Sequence, residues 1–182
     1  MGAGADWKGR LVPPSRLRAL IQDQPALRAY HSPAGRRPPK GLAAAFEDYL
    51  RARLAVRVTR WEEIHAFLRT CLYALDREVH GREEIWIHPE DFERARAGDC
   101  EDHALWAWVQ FVRLGWDARF TAGLMDEGGH GWITLYREEG ILVCESTAKK
   151  RAPFLFAPGG RPRYLPVWSV DRDCRFYWHA TP

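Results

Sequence analysis

The 182-residue chain has no apolar run near the ~18 residues that cross a bilayer, so no membrane partner is expected. Its first fifteen residues, Met1 to Ser15, lack the apolar stretch of a secretory signal. Asp6 stands where an N-myristoylation motif needs Ser or Thr. These absences lead to the expectation of a cytoplasmic protein. The four cysteines, Cys71, Cys100, Cys144 and Cys174, contain no C-x-x-C pair, so the strongest zinc spacing is missing. Without an export signal a disulfide framework is not expected either. Lysine is scarce, since 23 of the 27 basic residues are arginine. There is no internal repeat and no low-complexity tract.

What is present is aromatic mass. Nine Trp, eight Phe and six Tyr in a 46% hydrophobic chain supply a core for one packed domain and exclude wholesale disorder. Charge is uneven. Residues 1–60 hold 12 Lys/Arg against 4 Asp/Glu, and residues 61–182 hold 15 against 20. A basic arm on an acidic body can hold nucleic acid, but no recognition module or aromatic interleaving accompanies it, so nucleic acid is not an expected partner. Residues 1–41 read as a Pro/Arg-rich N-terminal arm, with a short helix around Arg16–Gln22, and residues 42–182 as one domain. Oligomeric state leaves no mark.

Apolar residues at three- and four-residue steps predict a helix from Leu42 to Val56. A capping box of Thr59 and Glu62 predicts a second, with a buried stripe of Ile64, Phe67, Leu68, Cys71, Leu72 and Leu75. Gly81–Ala97 reads as an irregular connector containing Trp86. A third helix runs from Cys100 to Leu114, stopped by Gly115. The period then changes, and Asp117–Gly123, Gly131–Tyr136, Ile141–Glu145, Arg163–Val170 and Cys174–His179 read as strands. Helices followed by a run of strands imply an α+β fold, with an antiparallel sheet packed on helices.

The segment Gly98-Asp99-Cys100-Glu101-Asp102-His103 carries the chemistry. Asp99 is a good N-cap, which puts Cys100 at the first helical position and Asp102 at the third. Unpaired backbone N–H groups and the helix dipole favour a thiolate there, while Asp99, Glu101 and Asp102 oppose it. His130 follows two glycines at a strand start. Glu145 ends an apolar strand and needs a partner if buried. If Tyr136 pairs with Ile141 across the intervening turn, Trp132 lies opposite Glu145. His130 and Glu145 then share one sheet face as diagonal neighbours; a one-residue slip would separate them.

A cysteine at a helix start, then a histidine, then a carboxylate supply a nucleophile, a base and an orienting group. On these residues, over roughly Trp86 to Thr147, the chain resembles the transglutaminase-like superfamily, and most closely the bacterial transglutaminase-like cysteine peptidases. Glu145-Ser146-Thr147 falls where that superfamily carries an Asp-Pro-Thr-like stretch, so Glu replaces the usual Asp. The resemblance implies a papain-like α+β domain with the nucleophile at the start of a central helix. It also implies a Cys100–His130–Glu145 triad that hydrolyses or transfers the acyl group of a protein or peptide amide through a thioester. The Cys100 backbone N–H and the Trp86 indole are the candidate oxyanion donors, with Trp86 open to a packing role. Asp99, Asp102 and His103 are candidates for support around the nucleophile. No cofactor is required, but some relatives of this type depend on calcium, and Asp99, Glu101 and Asp102 offer hard oxygen ligands. The rival readings are a non-enzymatic Cys2His2 zinc protein built on Cys100, His103, His130 and Cys144, and an inactive cleft that only binds peptides.

Overall fold

A computed structural model of the chain describes residues 42–81, 85–126, 128–148, 154–158 and 164–179. The expected N-terminal arm lies outside these residues. The helices are α1 (Leu42–Leu50), α2 (Trp61–Leu68), α3 (Asp76–His80), α4 (Pro89–Ala95) and α5 (Cys100–Arg113). The strands are β1 (Leu72–Tyr73), β2 (Ala97–Gly98), β3 (Asp117–Met125), β4 (Gly128–Arg137), β5 (Gly140–Cys144), β6 (Leu155–Phe156), β7 (Tyr164–Val170) and β8 (Phe176–Trp178). The expected α+β architecture is present. Six strands form one sheet in the order β6-β5-β4-β3-β7-β8, with every pairing antiparallel. No helix among the described residues is long and apolar enough to cross a membrane.

Helix α5 is the axis of the domain. Every residue from Glu101 to Phe111 is buried, because β3 and β4 cover one side while α1, α2 and α4 cover the other. A helix buried all round needs apolar or small side chains on every face, and the run Ala104-Leu105-Trp106-Ala107-Trp108-Val109 supplies them. Gly115, at φ +82°, lets the chain turn back into β3. A second glycine is required where β3 meets β7. The register shifts between Ala122 and Gly123, and a Cβ on Gly123 would run into the Leu165 carbonyl. The aromatic mass converges on Phe46 of α1. Its ring lies 5.4–6.1 Å from those of Tyr49, Trp86, Trp108, Phe120, Trp168 and Phe176, joining helix, connector and sheet in one cluster.

The first helix ends earlier than its periodicity suggests, at Leu50 rather than Val56. Backbone N–H groups beyond it go to α4 instead: Arg53 donates to Glu90, and Ala55 and Val56 donate to Glu93 Oε1 at 2.6 and 3.1 Å. Helix α2 starts at Trp61 with Arg60 as its N-cap, which makes no side-chain cap bond, so the expected Thr59–Glu62 capping box is not formed; the Thr59 N–H instead donates to Glu63 Oε2 at 2.7 Å. That helix stops at Leu68, so the expected stripe divides. Ile64, Phe67, Leu68 and Cys71 are buried, whereas Leu72 and Leu75 are exposed. The connector is not irregular. It contains α4, opened by His88, whose Nδ1 accepts from the Glu90 N–H, and Pro89 at the first helical position. Replacing Phe46 with Ala should cost about 3–5 kcal/mol, read as a fall in the urea midpoint with an unchanged slope.

Candidate active site

Asp99 has the extended backbone of an N-cap (φ −100°, ψ −151°), and Cys100 opens α5. Asp102, at the third position, spends both oxygens on main chain: Oδ2 accepts from the Asp99 N–H at 3.2 Å and Oδ1 from the Ile87 N–H at 2.8 Å. It therefore ties the Trp86–Ile87 connector to the first turn of α5. Gly98 leaves the room that this carboxylate occupies. Strand β4 closes on the same turn at Gly131, where a Cβ would stand 3.2 Å from Glu101 Cα. A side chain here would push the turn back by a few tenths of an ångström, whereas glycine lets the strand close in and brings the Gly131 backbone N–H to the Cys100 sulfur. His130 is the preceding residue.

The β4–β5 register is the one the turn predicts, with Tyr136 opposite Ile141 and Ile133 opposite Cys144. His130 Nε2 meets Glu145 Oε2 at 2.7 Å. Glu145 is only 4% exposed, and an isolated buried carboxylate would be costly. Thr147 donates its N–H (2.9 Å) and hydroxyl (2.5 Å) to Oε1, and the Tyr164 hydroxyl donates to Oε2 at 2.6 Å. Burial pushes the Glu145 pKa up, but the hydrogen bond and charge of His130, with the two hydroxyls, outweigh it and bring the carboxyl down to about 2. Tyr164, at the start of β7, is a participant that sequence reading missed.

The surroundings of the thiol push the other way. Cys100 Sγ donates to Glu101 Oε2 at 3.2 Å, and burial, then the Glu101 charge, raise the thiol pKa far above its ordinary value. Burial also raises Asp99 and Glu101, and takes Asp102 up to about 7. Buried Asp76 of α3, unnoticed in the sequence, joins this cluster: ligand atoms of Asp76, Asp99 and Asp102 lie within 4.8 Å of one another, as do those of Asp99, Cys100 and Glu101. Asp76 Oδ1 and Asp99 Oδ1 are buried without a hydrogen-bond partner. The donor set is hard, and its orphaned oxygens lack positive charge, so these residues fit a divalent cation such as calcium. The oxygens expected of Asp99, Glu101 and Asp102 are thus divided between two overlapping groups.

The remaining candidates fall out differently. His103 Nδ1 lies 2.7 Å from the Asp99 carbonyl and its ring packs on Phe92 at 4.8 Å, which places it against the first turn of α5. Trp86 is part of the aromatic packing. Its ring is stacked on Trp168 and tilted against Phe120 in the aromatic cluster. The zinc set does not assemble. The metal-capable groups among the described residues omit His103, His130 and Cys144, and Cys144 is in the apolar core.

No family model and no curated protein matches the chain. The fold has solved counterparts. It is similar to LapG of Legionella pneumophila in its calcium-bound form at 18% identity, with a TM-score of 0.54 over 94% of this chain and 91% of that one. The EGTA-treated LapG is similar at 20% identity, with a TM-score of 0.54 over 94% and 88%. The chain has this transglutaminase-like, papain-like α+β fold.

Because the folded-state pKa of Glu145 is depressed, its stabilising contribution is present above the ordinary carboxylate value of 4.5 and is lost as pH falls from there towards 2. Urea unfolding over that window should show a loss on the order of 2–3 kcal/mol in the wild type that Glu145→Gln lacks. Equal pH slopes in the two proteins would show that Glu145 has no such native partner.

Proposed function

We propose that this chain is a cysteine peptidase-like enzyme that cleaves or transfers an amide acyl group of a protein or peptide, with Cys100 as nucleophile, His130 as base and acid, and Glu145 as the orienting carboxylate. The observation that carries this reading is the buried 2.7 Å His130–Glu145 pair, held beside Cys100 by the Gly131 contact. With Nε2 committed to Glu145, Nδ1 is the atom left to take the thiol proton. The thiolate then attacks the amide carbonyl, and the imidazolium returns the proton to the leaving amine. Glu145 holds the ring and stabilises its cationic form while the thiolate and the tetrahedral intermediate exist. Water or a second amine, activated by the neutral imidazole, releases the acyl group. The Cys100 N–H at the head of α5 is placed to receive the oxyanion.

The acidic surroundings of the thiol give calcium a role. Asp99 and Glu101 would hold the cation, with Asp76 and Asp102 on its other side, and bound calcium would supply the positive charge that offsets the carboxylates raising the Cys100 pKa. Holding it requires these carboxylates to ionise, so binding strengthens as pH rises through the region near 7 where Asp102 titrates. Calcium should raise the melting temperature, EGTA should reverse the rise, and the effect should be larger at pH 8 than at pH 6. Asp99→Asn should abolish it. A melting temperature indifferent to calcium at both pH values would remove the cation from the reading.

The thiol itself is tested by limiting iodoacetamide with calcium present, followed by peptide mapping. Cys100 should be labelled ahead of Cys71, Cys144 and Cys174. His130→Ala should slow this at neutral pH, with Glu145→Gln slowing it less and Glu145→Asp least. Preferential labelling of another cysteine would count against the assignment, and an unchanged rate in Glu145→Gln would reduce the site to a dyad.

A further inference from the structure

Three large apolar side chains stand exposed among the described residues, and all three belong to one short segment: Leu72 at 65%, Tyr73 at 45% and Leu75 at 42%. Scattered exposed apolar residues need no explanation, but a contiguous group does. The segment also borders the candidate site. Tyr73 of β1 pairs with Gly98 of β2, two residues before Cys100. Its ring lies 6.1 Å from that of His103. Burial raises the phenol pKa, and the charges of Cys100, Asp99, Glu101 and Glu145 raise it further, so the hydroxyl lies in the field of the thiol and of these three carboxylates.

The backbone of β1 has an open side. Leu72 N–H donates to the Arg96 carbonyl at 2.7 Å and Ala74 N–H to the Gly98 carbonyl at 3.0 Å. These amides point at β2, so the alternate groups, the Tyr73 N–H and C=O, point to the opposite edge. The β1–β2 sheet has two strands, and among the described residues no third strand covers that edge. An uncovered edge flanked by apolar side chains is a template for another strand, which proteins ordinarily avoid leaving open. Here it lies beside a nucleophile whose polypeptide substrate must enter extended. An extended peptide brings its own unpaired N–H and C=O groups, which this edge can match. The ionised Glu145 and the acidic cluster disfavour carboxylates in such a segment.

We propose that the outer edge of β1 is the substrate-docking strand: an extended, apolar, non-acidic segment of the substrate pairs with the Tyr73 N–H and C=O, while Leu72, Tyr73 and Leu75 cover its side chains. The inference rests on Cys100 being the nucleophile, and the test separates the two. Two peptide reagents bracket the reacting bond. An acetyl-Leu-Leu vinyl sulfone carries its peptide on the acyl side, and a bromoacetyl-Leu-Leu amide carries it on the leaving-group side. Each is compared with its peptide-free parent, methyl vinyl sulfone or bromoacetamide, by the rate of Cys100 alkylation in calcium-containing buffer. At least one peptide reagent should react tenfold or more faster than its parent. Tyr73→Ala should retain part of that advantage, because it keeps the N–H. Tyr73→Pro should lose it, read as the ratio of the peptide reagent's rate to the parent reagent's rate in the same variant. Leu72→Ser with Leu75→Ser, both at exposed positions, should reduce the advantage at least threefold, which keeps the test alive if the proline variant misfolds.

An advantage that survives in both the proline and the double-serine variants would overturn the docking strand. So would the absence of any advantage where the parents label Cys100. A concentration-dependent dimer that Tyr73→Pro dissolves would assign the edge to a second copy of the chain and overturn it as well. Failure of the parents themselves to label Cys100 would instead overturn the nucleophile, and the proposal with it.

Discussion

A single buried negative charge organises this end of the molecule. Glu145 lies just past the end of β5 with almost no exposure, where an unpartnered carboxylate would cost far more than the domain can spare. Its two oxygens draw donors from three places: His130 on β4, Thr147 in the following turn and Tyr164 at the start of β7. Each of those elements is consequently fixed relative to the others. The imidazole orientation is an outcome of this satisfaction, because a ring that donates from Nε2 to a held carboxylate cannot turn freely. Orientation by a hydrogen-bonded carboxylate is also what an acid–base histidine needs, so the demand of burial and the demand of the proposed chemistry coincide.

The opposite arrangement prevails some residues away. The first turn of α5 welcomes negative charge through its unpaired N–H groups, yet Asp76, Asp99, Glu101 and Asp102 crowd together there with burial as the main influence on the last three. Asp102 is reconciled by two backbone donors. Asp76 and Asp99 each keep a buried oxygen without a partner. Natural interiors rarely leave such atoms unpaired, so the cluster is out of balance by itself and would be balanced by positive charge. The thiol shares that imbalance, since Glu101 both accepts its hydrogen bond and opposes its ionisation. One half of the site is electrostatically complete and the other is not.

Much of this was legible in the sequence, because the controlling signals are local. The Asp99 cap and the Gly115 stop bracket α5 within a residue. The register uniting His130 and Glu145 follows from the short turn between Tyr136 and Ile141, since a hairpin turn sets every pair behind it. What escaped depends on distant contacts. The end of α1 is decided by Glu90 and Glu93 of α4 capturing backbone amides, which no helix periodicity encodes. Two-residue strands such as β1 and β2 are too short to show a period. Tyr164 reaches Glu145 through the β3–β7 pairing, with its register shift at Gly123, and Asp76 joins its cluster only through the fold of α3. Leu72 and Leu75 misled by keeping helical spacing after the helix had stopped.

The glutamate in place of the aspartate usual in the resembled superfamily can be understood from the same contacts. The β5 ladder ends at Cys144, opposite Ile133, and the Glu145 backbone instead donates to the Phe154 carbonyl at 2.9 Å and accepts from Ala148 at 3.1 Å. Its main chain is thereby drawn into the turn that follows. From there the side chain must serve two directions: back towards Thr147, two residues on, and across the sheet to His130, which is a diagonal rather than a direct neighbour. Diagonal positions are separated by roughly 7–8 Å at Cα, a gap that two side chains must close together. The additional methylene lets one oxygen remain with the Thr147 N–H and hydroxyl while the other reaches His130 and Tyr164. A shorter side chain on this backbone would have to yield one set of partners or pull the turn towards β4. The residue type is therefore matched to the turn as much as to the histidine.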